Sequence, residues 1–399
     1  MSDKTMKNIP NLRFPEFLNE LEWKEKKIKN IFSIFQGYAF SSNDSVTDGV
    51  RWLKIADVDI QQMNSSTPSF LPHEFVNKYN KFLVKKGDYV IALTRPILNN
   101  KLKIAKIDDN YDGALLNQRV GKILTKENSH FVYFLLQKSD LINEIENSIS
   151  GSEPPNLSAQ QIENIIVHIP LIDEQQKIAD CLSSLDSLII AQSQKVEFLK
   201  EHKKGLLQNL FPKDGESVPK YRFSEFINDG DWEEKPLRKV CIITNGKSNA
   251  QDHDENGIYP LFDRSEVIKK SNNFLFDCEA VIIPGEGVRF VPKYYKGKFD
   301  LHQRAYALQN FKENGKFVYH FMDFTKDILA SKAVLSTVLS LRLPILENFT
   351  IKLPKPKEQQ KIADFLSSVD EEINLQSQKV ETLKEHKKAL LQQLFPKSI

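Results

Sequence analysis

EQQKIADCLSSLDSLIIAQSQKVEFLKEHKKGLLQNLFPK, residues 174–213, recurs without a gap as EQQKIADFLSSVDEEINLQSQKVETLKEHKKALLQQLFPK, residues 358–397. Thirty-one of the 40 positions are identical. Counting from Leu182, apolar or repeat-retained residues of the first copy fall at Leu185, Ile189, Gln192, Val196, Leu199, Lys203, Leu206 and Leu210, in alternating steps of three and four. The second copy places Val369, Ile373, Gln376, Val380, Leu383, Lys387, Leu390 and Leu394 on the same frame. Such a seam marks a helix that packs lengthwise on another helix. Pro212 and Pro396 stop both copies, because proline lacks the N–H that a helix needs. Glu174 and Glu358 lie in first turns, where the helix dipole favours a carboxylate. A run from Glu174 to Phe211 spans about 57 Å at 1.5 Å per residue. Each stripe needs a cover and the other copy carries the matching one, which predicts an intramolecular coiled coil, antiparallel so that the variable segments lie at opposite ends of the rod. Gln192 and Gln376, mid-seam, either fix its register or sit partly exposed. The KEHKK runs at 200–204 and 384–388 form solvated faces or dock two copies of one partner.

A second repeat lies upstream of each helix. PNLRFPEFLNELEW, residues 10–23, returns as PKYRFSEFINDGDW, residues 219–232, at an offset of 209 rather than 184. The chain therefore runs lead-in motif, variable segment, helix, and then the same three again. Joining its ends would close a cycle, an organisation most easily satisfied by approximate two-fold symmetry between the halves. A tandem duplication without selected symmetry is the alternative.

The variable segments read as one α/β fold with different loops. In the first, short β-like runs at Arg51–Ile55, Asp88–Leu93 and Val120–Leu124 precede helical text around Phe131–Ile145. Both segments share Leu-x-Gln-Arg, as Leu116-Asn117-Gln118-Arg119 and Leu301-His302-Gln303-Arg304. Their net charges are +2 for residues 24–172 and +5 for residues 233–357, and the whole chain of 399 residues carries only +2. Any nucleic-acid binding must come from local patches. Basic residues mixed with aromatics, as in Lys78-Tyr79-Asn80-Lys81-Phe82 and Lys293-Tyr294-Tyr295-Lys296, suit phosphate contacts, and an amphipathic strand explains them nearly as well.

Catalytic signals are weak. Asn245-Gly246-Lys247-Ser248 imitates the end of a phosphate-binding loop, but Cys241 stands where its first glycine belongs. Glu153-Pro154-Pro155-Asn156 departs at both ends from the loop of amino-methyltransferases, and a turn or helix-capping role is expected. Three scattered cysteines and eight histidines give no metal-ligand spacing, so no metal and no catalytic residue is expected. No apolar run reaches the 18 residues of a membrane span, which with the cysteine usage places the chain in the cytoplasm.

Gly151-Ser152 and Asn156-Leu157-Ser158, followed by Ile169-Pro170 and Glu174-Gln175-Gln176-Lys177-Ile178-Ala179, resemble the specificity (S) subunit of type I restriction-modification systems. Leu353-Pro354 with Glu358 to Ala363 repeats the second half of this progression, whereas Ala333 to Ser340 lacks the Gly-Ser element. The resemblance implies two α/β target recognition domains joined by two long helices in a pseudo-two-fold, antiparallel coiled coil. Its segments would be 1–172 and 214–357 for the recognition domains, with helices at 173–213 and 358–399. It further implies a non-catalytic subunit that reads a bipartite double-stranded DNA site and binds two modification subunits and the restriction subunits. S-adenosylmethionine, ATP and Mg would sit on those partners and no cofactor on this chain. A coiled-coil scaffold whose inserts bind proteins, or an orphan methyltransferase, are the competing classes.

Arg, Lys, Asn and Gln match purine edges in the major groove. Candidate DNA contacts are therefore Arg51, Lys54, Arg95, Asn99, Asn117, Gln118 and Arg119 in the first domain. In the second they are Lys247, Asn249, Arg264, Arg289, His302, Gln303 and Arg304. The shared Leu-x-Gln-Arg residues serve either base reading or a structural and phosphate-binding role. The helices are expected to act as a ruler for the gap between half-sites.

Overall fold

The computed structural model describes residues 8–149, 154–335 and 338–396. Gly151, Ser152 and Glu153, and Ser336 and Thr337, lie outside the described residues. The repeat is built as two long helices, α1 (Ile172–Leu210) and α2 (Pro356–Gln393). Both run over the stretches that the heptads mark, and a proline follows each end. Packing regroups the four expected segments into two units, residues 1–191 with 380–399, and residues 192–379. The helices are thus parts of both cores rather than domains of their own.

In the first unit an antiparallel sheet takes the order Phe32–Gln36, Val120–Thr125, Tyr89–Ala92, Ile104–Lys106. Its central strand Tyr89–Ala92 is buried throughout, as a strand covered on both faces must be. Tyr89 and Ile91 face a core built on the helices Ser129–Leu135 and Ser139–Ile149, while Val90 and Ala92 face a second core with Trp52, Leu53 and Leu115. The helical text around residues 131–145 is thus two helices, divided at Gln137 and Lys138. The run at 78–82 is the end of a short helix and a 3-10 turn rather than a strand, and the Tyr79 and Phe82 rings both pack tilted against Tyr38.

The second unit repeats this plan with a longer sheet, ordered Ile242–Asn245, Ala305–Gln309, Phe276–Pro284, Lys293–Leu301, Tyr259–Phe262, Lys269–Ser271. Val281 and Ile283 again face one core and Ala280 and Ile282 the other.

The lead-in motifs explain why each helix begins with Glu-Gln-Gln. Arg13 donates from Nε and Nη2 to the two carboxylate oxygens of Glu174 at 2.8 and 2.7 Å. Arg222 grips Glu358 in the same fork at 2.8 and 2.7 Å. Hydrogen bonding to these carboxylates holds both guanidinium groups above their ordinary pKa. The first glutamine then reads the recognition segment: Gln175 accepts from the Asn128 amide and donates to Glu127, as Gln359 does with Asn314 and Glu313. The second glutamine accepts from the Asn128 or Asn314 side chain. Asn128 and Asn314 are themselves N-caps, each accepting from the backbone N–H three residues on. One helix start thereby fixes a lead-in and a domain together.

Within the second unit the helices run antiparallel, Gln192 donating to Gln376, Lys195 pairing with Glu372 and Lys203 with Asp370. In the first unit Lys387 pairs with Asp186 at 2.6 Å, the repeat-equivalent of Lys203 with Asp370. The seam residues Leu185, Ile189, Leu199, Val369, Ile373 and Leu383 are half-buried, and Val196 and Val380 buried. Lys203 and Lys387, the fourth residues of their KEHKK runs, are not solvated. Their side chains are 12% and 7% exposed, so these runs are not simple polar faces.

The two units differ around these lysines. Lys203 also meets Asp323 at 3.1 Å, and the adjoining His320 is fully buried beside it, with Nε2 3.3 Å from Ser367 Oγ. Burial, and then the Lys203 charge, push the imidazole down to about 3. A neutral His320 in the fold against one titrating near 6.5 when unfolded means that the unfolded chain binds the extra proton between those values. Stability is therefore whole above pH 6.5 and falls as pH drops toward 3, by up to about 4 kcal/mol. Counting from the N-caps Asn128 and Asn314, Phe134 occupies this place in the first unit. His320→Phe is expected to flatten the acid limb of a urea-midpoint against pH plot, and an unchanged slope would refute the assignment.

Candidate nucleic-acid interface

The shared Leu-x-Gln-Arg forms the same turn in both units. The Asn117 carbonyl accepts from Val120 N at 2.9 Å and its side chain accepts from Arg119 N at 3.0 Å. In the second unit the His302 carbonyl accepts from Ala305 N at 2.9 Å and its Nδ1 accepts from Arg304 N at 3.1 Å. Short polar side chains bonding the backbone two residues on are what close such turns. Gln118 and Arg119, like Gln303 and Arg304, occupy the two corners.

Neighbouring backbone clamps each turn from both sides. Gln118 N donates to Tyr38 O and Gln303 N to Ser248 O, each at 2.9 Å. Leu93 N donates to Arg119 O at 2.9 Å and Gly285 N to Arg304 O at 2.8 Å. Side-chain amides of Gln36 and Asn245 donate to the Gln118 and Gln303 carbonyls at 2.7 and 3.3 Å. The residue after each amide is glycine for a steric reason: a Cβ on Gly37 would lie 2.2 Å from Leu116 O, and one on Gly246 2.0 Å from Leu301 O. This close approach accounts for the Asn245-Gly246 dipeptide. Leu and Asn or His thus build the turn, and Gln and Arg stand at its corners.

A groove adjoins each turn. The first, about 380 Å³, is lined by Gln118 and Arg119 with Gln36, Thr94, Asn156 and Ser158 among others. The second, about 670 Å³, brings together Asn249, Arg264, His302, Gln303 and Arg304 with Gln251, Lys269 and Glu286. Gln303 Nε2 donates to Asn249 Oδ1 at 2.6 Å, and Arg304 Nη1 donates to both oxygens of Glu286. Burial would raise the Asp263 carboxyl, but Lys269 at 2.7 Å and the Ser265 hydrogen bonds hold it below the usual range. Five of the seven second-unit candidates therefore meet in one place. Lys247 is exposed beside Ser248, and Arg289 is exposed outside the groove lining.

The first-unit candidates are dispersed. Arg51 is not available to a ligand as expected: its side chain is 13% exposed, its Nη2 donates to Tyr111 Oη at 2.8 Å, and Asp57 lies 3.9 Å away. Lys54 Nζ sits 3.9 Å over the Trp52 ring. Asn99 forms a hairpin turn with Asn100, at φ 51° and 57°, between Ile97–Leu98 and Lys101–Leu102, so its identity answers to backbone conformation. Arg95 is exposed next to the groove, its N–H donating to Pro155 O at 2.8 Å. Asn117 lies behind the turn, 8% exposed. Gln36, Thr94 and Asn156, and Gln251, Lys269 and Glu286, join the grooves without belonging to the sequence candidates. The shared amide-glycine pair at offset 209 was a usable sign for Gln36 and Asn245.

Asn156 also closes the Pro-Pro stretch, accepting from Thr94 Oγ1 at 2.8 Å and donating to Pro154 O at 3.0 Å, which is turn chemistry. Burial pushes the Cys241 thiol up to about 12, unsuited to a nucleophile. Among the described residues no group of three His, Cys, Asp or Glu could hold a metal ion, and no helix is long and apolar enough to cross a membrane.

A family profile described as type I restriction modification DNA specificity domain matches residues 20–200 and 229–385. The chain is 32% identical over 192 residues to the type I restriction enzyme MjaVIII specificity subunit of Methanocaldococcus jannaschii, covering 47% of this chain and 45% of that one. It is 23% identical over 410 residues to the MjaIX specificity subunit of the same organism, covering 94% and 92%. It spans less than half of the MjaVIII relative and 31% of the EcoDI specificity subunit of Escherichia coli, to which it is 30% identical over 139 residues. In fold it is similar to the S subunit of a type I restriction-modification system from M. genitalium, at TM-score 0.66 and 15% identity, covering 98% of this chain and 100% of that one.

Proposed function

Because this chain belongs to the family of the type I restriction modification DNA specificity domain, we propose that it is the DNA-reading subunit of such a complex. Each unit reads one half of a bipartite duplex site, and the two near-identical helices each seat one modification subunit. S-adenosylmethionine belongs to those subunits, and ATP and Mg to restriction subunits that join them. This chain contributes the address and no catalytic group. The observation that carries the reading is the pair of clamped turns, each presenting Gln and Arg beside a groove whose other residues differ. Two different grooves on one scaffold are what two different half-sites require.

The geometry suits base reading because the backbone that carries the corner side chains is held before any ligand arrives. Backbone and amide clamps fix the turn, so little backbone freedom is lost when Gln and Arg engage a base edge. A bidentate side-chain contact to a base is worth about 1–3 kcal/mol of discrimination.

Arg119→Ala and Arg304→Ala are each expected to weaken binding of the assembled complex to its own site roughly 5- to 100-fold at physiological salt. A contact to a base leaves the salt slope nearly unchanged, whereas a contact to phosphate lowers it by about one. Filter binding across a salt series separates the two. Full affinity in both variants would remove the turns from the DNA interface and favour a protein-binding scaffold.

A further inference from the structure

The two turns share their shape and their Gln-Arg pair, so a difference in the bases they read must come from the surrounding side chains. Strand register identifies the equivalent neighbours. Val120 pairs with Ala92 and Ala305 with Pro284, which puts Thr94 and Glu286 at the same place beside their turns. Both residues also make a β-bridge to the returning chain, Thr94 to Asn156 and Glu286 to Ser340. The position is structurally constant and chemically different.

At this position the second unit carries a charge. Glu286 is 15% exposed and Arg304 62%, with Arg304 Nη1 donating to Glu286 Oε1 and Oε2 at 2.8 and 2.9 Å. A carboxylate in a DNA groove repels phosphates unless a cation holds it or it accepts from a base. Here the turn itself supplies the nearer cation, and Arg264 Nη1 lies 3.9 Å from Glu286 Oε2. Because Nη1 alone takes the carboxylate, no described residue engages the Nε–Nη2 edge of the same guanidinium. That edge offers two parallel donors, the pattern that matches O6 and N7 of guanine. The carboxylate fixes the plane of the guanidinium and makes it a poor phosphate clamp, since part of its charge is already compensated. In the first unit Thr94 instead donates to Asn156, so Arg119 has a neutral hydroxyl and amide beside it.

We propose that Arg304, held by Glu286, reads a guanine in the major groove, and that positions 94 and 286 set which base each Gln-Arg turn accepts. This rests on the reading of the chain as a DNA-specificity subunit. Glu286 acts as a positioning residue, so its loss relaxes selectivity at one base pair more than it lowers affinity for DNA in general.

Methylation maps of cells carrying the complete system, together with duplexes selected by the assembled complex from a randomised pool, test it. Wild type is expected to give a bipartite motif with an essential G·C pair in one half. Glu286→Thr, which borrows the first unit's residue, is expected to lower the preference for that guanine roughly 5- to 100-fold. The other half-site and the gap should persist, which also reports that the variant folds. Arg304→Lys should lose the same preference, because an ammonium cannot present the fork. The pool selection still reports when methylation becomes too weak to map. If wild type gives a bipartite motif and Glu286→Thr and Arg304→Lys leave it intact, the inference is overturned and the DNA-reading function stands. If wild type selects no bipartite motif, both fall together.

Discussion

Glu358→Ala is expected to destabilise the second unit by about 3–5 kcal/mol, the usual result of stripping one member from a buried ion pair. The Glu358 carboxylate is wholly buried and its Arg222 partner 9% exposed, so the arginine would be left without its counter-charge inside the lead-in. Arg222 also donates from Nη1 to Gly230 O at 2.7 Å, so the loop that returns the chain to Trp232 should loosen with it. Hydrogen exchange over residues 219–236, with a urea midpoint, measures this. Replacing both partners by methionine should cost less than Glu358→Ala alone, because no charge is then left stranded. A loss under about 1 kcal/mol for the single variant would show that the fork is solvated in solution.

Phe211→Ala and Phe395→Ala should each cost about 3–5 kcal/mol, and in different places. Phe211 is fully buried among Trp232, Phe317, Phe321 and Phe324 in the second unit. Phe395 is 2% exposed and packs on Trp23 and Phe131 in the first. Exchange should therefore rise in strands 89–92 and 120–125 for Phe395→Ala, and in strands 276–284 and 305–309 for Phe211→Ala. The same pattern from both variants would contradict the assignment of each helix end to its own core.

The heptads and the two repeats made the helices, their antiparallel course and the duplicated α/β plan legible, because an identical spacing in two copies must satisfy one packing. The glutamates of Glu-Gln-Gln were placed correctly in first turns, but their partners were not foreseen. Arg13 lies 161 residues from Glu174, and only the fold joins them. The same distance effect misled the reading of Arg51, whose partner Tyr111 comes from a loop 60 residues on. Second-unit candidates lie closer together because four of the five that converge, Asn249, His302, Gln303 and Arg304, belong to or adjoin a turn that sequence already marks. Thr94 and Glu286 carry no shared sequence signal, since their equivalence is one of strand register and the chemistry differs. The Gly-Ser element missing from the second half does not disturb the plan: Leu157 N bonds Leu93 O and Leu341 N bonds Gly285 O at 2.7 and 2.8 Å, so the chain rejoins at the same point in both units.

The division of the chain has a bearing on its synthesis. The second unit is one continuous stretch, residues 192–379, whereas the first is completed by residues after 379. On a ribosome the first 191 residues emerge early, yet the aromatic plug at Phe395 and the ion pair of Lys387 with Asp186 arrive only after the whole second unit. The earlier-made unit must wait, its apolar face open, while the later one already has every residue it needs to close. A chain interrupted before residue 380 would leave a finished second unit tethered to an unfinished first one, a natural target for chaperones and proteases. Translation order thus makes the stability of the first unit a check that the second long helix has been made.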